Sequence, residues 1–261
     1  TSPSITAFYR ALFALPFLLL WVYLGKSKFN LRLDLDKSSW LLFILAGISF
    51  GIDMALWNWS IYFTSVAHAT LMANTAPIFV ALISIFFFHN HIKPTFLIAL
   101  ILSFLGVLIV ISAGSGSDEG KLLGDSLGIL AALFYACYIL SVKRLTNHIP
   151  PSHVLLITTF FTALFLFPVS LLESGDFFSS SILGWKVLIT YALVSQVIAQ
   201  GLITFGISRL SAHFSSLTLL LQPVAATVFG IILLSELVST WQILGGMIVL
   251  IGIYLANSSE N

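Results

Sequence analysis

Nine apolar stretches, each about 17 to 26 residues long, occupy nearly the whole chain, and the polar breaks between them are too short to hold a soluble domain. A helix of about 20 apolar residues crosses about 30 Å of hydrocarbon while satisfying its own backbone hydrogen bonds, which an open sheet or loop cannot do there. Charge tells the same story. Only 8% of the residues are charged, against about 25% in an ordinary soluble domain, too few to cover a water-exposed surface. With 59% hydrophobic residues and a mean hydropathy of +1.06, the chain reads as an all-α integral membrane protein. Helices are predicted over 8–24, 40–62, 68–88, 95–112, 124–143, 152–172, 183–208, 213–234 and 241–257. A soluble bundle would need a polar face on each helix, and a barrel would alternate apolar and polar at every second residue; neither pattern is present.

The breaks carry the charge. Lys26, Lys28, Arg32, Lys37, Lys93, Lys143, Arg144 and Arg209, eight of the eleven basic residues, fall in alternate loops or at helix ends on one side. Arg10, Lys121 and Lys186 fall on the other, with Asp118, Glu119, Glu173, Asp176 and Glu236. Positive charge is retained in the cytoplasm, so the first side faces inward and the C-terminus is cytoplasmic, in a multi-pass protein of a cell membrane, the bacterial inner membrane in the first instance.

The chain also contains itself twice. A shift of 146 lays Ser49 on Ser195, Pro77 on Pro223 and Gly106 on Gly252; farther upstream "LFALP" at 12–16 matches "LFLFP" at 164–168. The first repeat, 1–112, holds four helices and the second, 124–257, holds five, followed by a cytoplasmic tail at 258–261. The unmatched helix would precede Thr1, giving ten spans; with nothing missing there are nine and an external N-terminus. An odd number of helices per copy makes the second enter the membrane from the opposite side. Such inverted repeats are a recurrent transporter plan, because two similar halves of opposite orientation exchange inward-open and outward-open shapes about a central site.

Polar residues at membrane depth mark the candidate site. Asp53 lies near the middle of its span, where an ionised carboxylate facing lipid costs at least about 3 kcal/mol, so it should face the bundle interior. Ser49 and Trp57, four residues before and after it, share its helical face. Asp53 either binds a substrate ammonium or exchanges a proton as coupling ion, or it pairs with Asn58, a neighbouring helix or water. Gln196 and Gln200 form a second stripe, suited to recognition of an amino or carboxylate group and equally to holding helices together. Tyr135 and Tyr138 add rings and hydroxyls. Asn74 precedes Pro77, and Gln222 precedes Pro223; both prolines should bend their helices at matched places and serve as hinges. Arg10, expected one or two residues inside the first helix, either snorkels to headgroups or attracts a substrate carboxylate at the cavity mouth.

Other chemistry finds no foothold. Cys137 is solitary, and two histidines at 89–91 are too few and poorly spaced for a metal centre. The stretch "GSGSDEGK" at 114–121 breaks the phosphate-loop order twice. No nucleophile–base pair or acidic dyad marks an enzyme, no cofactor motif is present, and no basic surface suits nucleic acid. The small-residue seam "ILGGMIVLIG" at 243–252 and the pair Gly124 and Gly128 indicate tight helix packing, within one polypeptide or at a dimer contact, leaving monomer and homodimer both open.

Several segments resemble the EamA-type family of the drug/metabolite transporter superfamily. They are "SPSITAFYRALFALPFLLL" with Arg10, "SVAHATLMANTAPIFVALIS", "RLSAHFSSLTLLLQPVAATVFGIILLSE" and the closing "LSELVSTWQILGGMIVLIGIYL" with Glu236, Trp241, Gly245 and Gly252. The resemblance implies ten helices in two inverted five-helix repeats and a carrier, without cofactor, that exports or exchanges small metabolites, amino acids foremost. The first copy departs from the pattern in having Asn90 where the second has Glu236. A passive pore for small solutes is the alternative from another class.

Overall fold

The computed structural model describes residues 2–25, 36–64, 66–88, 93–114, 122–173, 177–178, 181–234 and 239–260. Every regular element among them is helical. In chain order they are α1 (Pro3–Leu24), α2 (Lys37–Phe63), α3 (Val66–Ala73), α4 (Ala76–Phe88), α5 (Pro94–Gly114), α6 (Leu122–Thr146), α7 (Pro151–Leu172), α8 (Ile182–Tyr191), a π-helical segment (Ala192–Ala199), α9 (Gln200–Arg209), α10 (Ala212–Thr218), α11 (Leu221–Leu234) and α12 (Thr240–Glu260). Among the described residues, eight helices are long and apolar enough to cross a membrane. Their outward surfaces are apolar, as with Leu19, Leu20 and Leu24 on α1 and Ile98 and Ile101 on α5. Hydrocarbon is the solvent such a surface requires.

Three elements depart from expectation. First, α1 begins at Pro3, so Arg10 is its eighth residue, about 10 Å along the axis rather than at the helix end. Proline at the first helical position needs no N–H and comes with its φ set for a helix, a start signal stronger than the polarity of Ser4 and Thr6. Second, the runs at 68–88 and 213–234 are interrupted rather than bent. Asn74–Thr75 separates α3 from α4, and Leu219–Leu220 separates α10 from α11, one residue apart under the 146 shift. Pro77 and Pro223 sit in the first turns of α4 and α11, where no intrahelical donor is lost. Short-range bonds close the breaks: Thr75 and Ile78 N–H to Met72 and Thr75 carbonyls, and Leu220 and Gln222 N–H to Leu217 and Leu219 carbonyls. Third, the span at 183–208 runs from Ile182 to Arg209 but widens in its middle, where the Gln200 N–H reaches back five residues to the Ser195 carbonyl. The helix α12 continues through Glu260, so the expected tail from 258 is helical to that point. Lys26, Lys28, Arg32, the histidines at 89–91, Lys121, Asp176 and Glu236 lie outside the described residues.

The chain forms two compact units that divide within α2 and α6: residues 1–58 with 137–211, and 59–136 with 212–261. Each therefore draws on both sequence copies. In the first, α1 packs on α7, on α8 and on the π-helical segment, around Ala14, Leu18 and Leu155. α1 and α7 run antiparallel: the Ser4 N–H donates to the Glu173 carboxylate at 2.8 Å, the Phe8 and Phe167 rings lie 5.5 Å apart, and Leu18 meets Leu155. α2 approaches α7 at Gly47, whose carbonyl accepts from Thr162 Oγ1 at 2.9 Å.

In the second unit α5 packs along α12, and small residues permit it. A Cβ at Gly106 would lie 2.7 Å from the Gly245 carbonyl oxygen and 2.8 Å from Val249. One at Gly252 would run into Ser103 and lie 2.9 Å from the Ala99 carbonyl. The 146 shift maps Ala99 on Gly245, Ser103 on Val249 and Gly106 on Gly252. The two contacts are thus one contact made twice, each copy's glycine against the other copy's matched pair, with the helices antiparallel. Without a hydrophobic drive between helices in lipid, close backbone approach of this kind supplies the attraction. Gly124 and Gly128 are likewise covered from within the chain, by Thr64 and by Met72 and Ser60.

Candidate functional site in the first unit

The first unit holds Arg10, Ser49, Asp53, Trp57, Tyr138, Gln196 and Gln200, and contacts join Arg10 to Gln196 and, through Phe50, to Tyr138 and Gln200. Arg10 is its centre. Its Nε donates to Gln196 Oε1 at 3.0 Å, and its guanidinium carbon lies 5.9 Å from the Phe50 ring centroid and 5.6 Å from that of Tyr191. Nη1 is 3.5 Å from the Tyr191 hydroxyl. An arginine in a span costs about 2.5–3.5 kcal/mol on insertion scales. Two cation–π contacts at about 0.5–2 kcal/mol each, with a charge-assisted hydrogen bond of about 1.5–3 kcal/mol, are of the size needed to offset it. Arg10 is therefore held in the unit by named partners, and snorkelling is not required to explain it.

Behind Arg10 lies a buried polar lattice. Gln196 is 1% exposed and its Nε2 donates to Thr159 Oγ1 at 3.1 Å. Gln200 is 4% exposed and its Nε2 donates to the Tyr138 hydroxyl at 3.1 Å. The Tyr138 ring stacks on Phe50, 4.6 Å between centroids and 23° between planes, so the two glutamine clusters meet through the ring that faces Arg10. The π-helical segment carries Gln196, and Gln200 follows it directly. Such widened turns are frequent at functional sites.

On α2, Ser49 is buried while Asp53 and Trp57 are part-exposed. Asp53 lies within the electrostatic reach of Arg10. Asn58, weighed as its partner, spends its amide on the Met54 carbonyl at 2.7 Å. One half-buried guanidinium and one part-exposed carboxylate thus sit on neighbouring spans of one unit.

The remaining candidates belong to the second unit. Asn74 is buried and its Nδ2 donates to the Thr70 carbonyl at 2.8 Å, terminating α3 at the break. Tyr135 is half-buried on α6 and Gln222 is exposed in the first turn of α11. Sequence reasoning missed Phe50, Thr159 and Tyr191. Tyr191 stands five residues before Gln196, off its face in a regular α-helix, so only the π-helical widening between them relates the two, and Phe50 and Thr159 were two among many apolar and hydroxyl residues.

Comparison with known proteins gives the same direction. The model of the EamA-like transporter family matches residues 1–112 and 122–258. An uncharacterized transporter of Bacillus subtilis, YetK, is 27% identical over 76% of this chain, and the match spans 61% of that protein's length. The threonine/homoserine exporter RhtA of Escherichia coli K12 is 26% identical over 82% of this chain and 70% of its own. A solved crystal structure superposes with a TM-score of 0.82 over 99% of this chain and 88% of that one at 12% identity, a likeness of fold. The chain belongs to the EamA-like transporter family of the drug/metabolite transporter superfamily, and is a multi-pass membrane transporter of small solutes rather than an enzyme.

Proposed function

We propose that the protein is a secondary transporter of amino acids or closely related metabolites, acting by alternating access as an exporter or exchanger in the bacterial inner membrane. The observation that carries this reading is the presence in one unit of two opposite charges on apolar spans, Arg10 on α1 and Asp53 on α2. An amino acid offers a carboxylate and an ammonium, the complements of these two groups, and planar guanidinium suits carboxylate better than a point charge does. Similarity to a threonine/homoserine exporter supports the same solute class. Ser49, Trp57, Tyr138, Gln196 and Gln200, in the same unit, are the proposed further contacts, with hydroxyl, ring and amide groups that recognise without adding charge.

Inverted repeats are the proposed basis of alternating access. The reciprocal, antiparallel contact of α5 with α12 supports them, because copies of like orientation would bring matched helices together parallel. The breaks at Asn74–Thr75 and Leu219–Leu220 give each copy a hinge at nearly the same place. With the basic residues retained inside, the C-terminus is cytoplasmic.

Asp53 is the proposed proton carrier. The test is uptake of labelled threonine into proteoliposomes with and without an imposed pH gradient. The native protein is expected to show saturable uptake that responds to the gradient, and Asp53→Asn to show uptake that does not. An Asn variant with undiminished gradient dependence would remove Asp53 from that role.

A further inference from the structure

Arg10 meets the two sequence copies at matched positions. The 146 shift lays Phe50 on Gln196, and the guanidinium engages both, the Phe50 ring at 5.9 Å and Gln196 Oε1 at 3.0 Å. One copy thus offers a ring face and the other an acceptor. Because the acceptor takes Nε, the direction of the guanidinium within its plane follows from the Gln196 amide. That amide has two ways round. With Oε1 toward Arg10, Nε2 faces Thr159; turned over, it would set a donor against the N–H of Arg10. The Thr159 hydroxyl accepts from Nε2 at 3.1 Å, so one orientation satisfies both ends. Thr159 and Gln196 are each 1% exposed, so bulk water does not replace the bond.

We propose that Thr159 is a positioning residue for solute selection: through Gln196 it fixes the direction of the guanidinium, whose Nη1 makes only the long 3.5 Å contact with the Tyr191 hydroxyl, so that its Nη groups meet a solute carboxylate, and so favours carboxylate-bearing solutes over their neutralised analogues. The proposal rests on the reading of Arg10 as the carboxylate-binding group. Thr159 itself touches no solute. Its hydroxyl oxygen is what matters, since valine keeps the shape and removes the acceptor, leaving a buried amide donor unsatisfied and the Gln196 side chain free to turn.

The test uses the full chain in proteoliposomes, with labelled threonine as the probe and threonine methyl ester, which lacks the carboxylate charge, as competitor. Thr159→Val is expected to raise the half-saturation concentration for threonine about tenfold, the loss of one charge-linked hydrogen bond. Its maximal rate should stay within about twofold and competition by the ester should be unchanged, a pattern that general destabilisation does not produce. Thr159→Ser should behave as the native protein. Gln196→Met should show the same shift, and the double variant no further loss, because both act through one group. Should the valine protein not fold, Thr159→Ala is measured in the same way. The proposal is overturned by a valine or alanine variant that keeps native threonine affinity, that weakens threonine and ester alike, or that serine does not restore. Native protein that takes up no threonine at all defeats the reading of Arg10, and this inference with it; native uptake with unaltered selectivity in the variants defeats the inference alone.

Discussion

Single residues in this protein are held by pairs of bonds rather than by one, which makes the cost of deleting a group unequal at its two ends. Tyr138 shows it. Its hydroxyl accepts from Gln200 Nε2 while its ring stacks on Phe50. Tyr138→Phe keeps the stack and strands the glutamine amide, so it should destabilise the protein by about 1–3 kcal/mol in detergent unfolding, whereas combining it with Gln200→Leu should recover most of that loss. At the membrane edge, Asp36 caps α2: its Oδ1 accepts from the Ser39 N–H at 2.9 Å, and hydrogen bonding from the Ser39 hydroxyl first and from its N–H second holds its carboxyl below the ordinary aspartate range. A depressed carboxyl contributes its stabilisation above the unfolded-state value and loses it as pH falls through the folded one. Amide protection over 37–40, the exchange rate taken against the intrinsic rate at each pH, should therefore fall as pH drops below about 4, and in Asp36→Ala it should be low at every pH. Protection there that ignores both changes would show that the cap is dispensable. The residues legible in the sequence were those whose type is rare at membrane depth, Arg10, Asp53 and the glutamines. Thr159 was not legible, because one hydroxyl among many in apolar helices gains a role only from the neighbour that folding supplies.

At the scale of elements, hydropathy located the spans well, since a long apolar run has only one way to satisfy its backbone in lipid. It did not locate breaks within a run. The turn at Leu219–Leu220 is wholly apolar and that at Asn74–Thr75 adds only two uncharged polar residues to an apolar run, and the proline that follows is compatible with a kink or with a fresh start. The start of α1 was legible in Ser2 and Pro3, although hydropathy alone placed it later. The π-helical turn carried no sequence mark. The seam of α5 with α12 is the element-level contact most open to test. Gly106→Leu should abolish stable folding, and Gly106→Ala, whose methyl would meet backbone at 2.7 Å, should cost about 1–3 kcal/mol. Ile101→Ala, a substitution on the exposed face of the same helix, should cost far less. Equal losses at the two positions would mean that close helix approach is not what joins them.

At the scale of the whole molecule, the sequence copies and the compact units are different divisions of the chain. The repeat reads along the chain, whereas each unit collects matched helices from both copies, α1 with α7 in one and α5 with α12 in the other. The most extensive helix contact in each unit is thus one between copies, which a sequence alignment cannot reveal. The proposed solute site joins Arg10 of the first copy to Gln196 of the second, so the proposed selectivity requires both copies to be in place. The central claim is that this arrangement carries an amino acid rather than opening a pore. Counterflow measures that most directly: proteoliposomes loaded with unlabelled threonine are diluted into labelled threonine without any ion gradient. The account predicts a transient overshoot of internal label that saturates with external threonine and vanishes when the vesicles are not preloaded. Entry proportional to concentration, with no overshoot, or no entry of threonine at all, would contradict it.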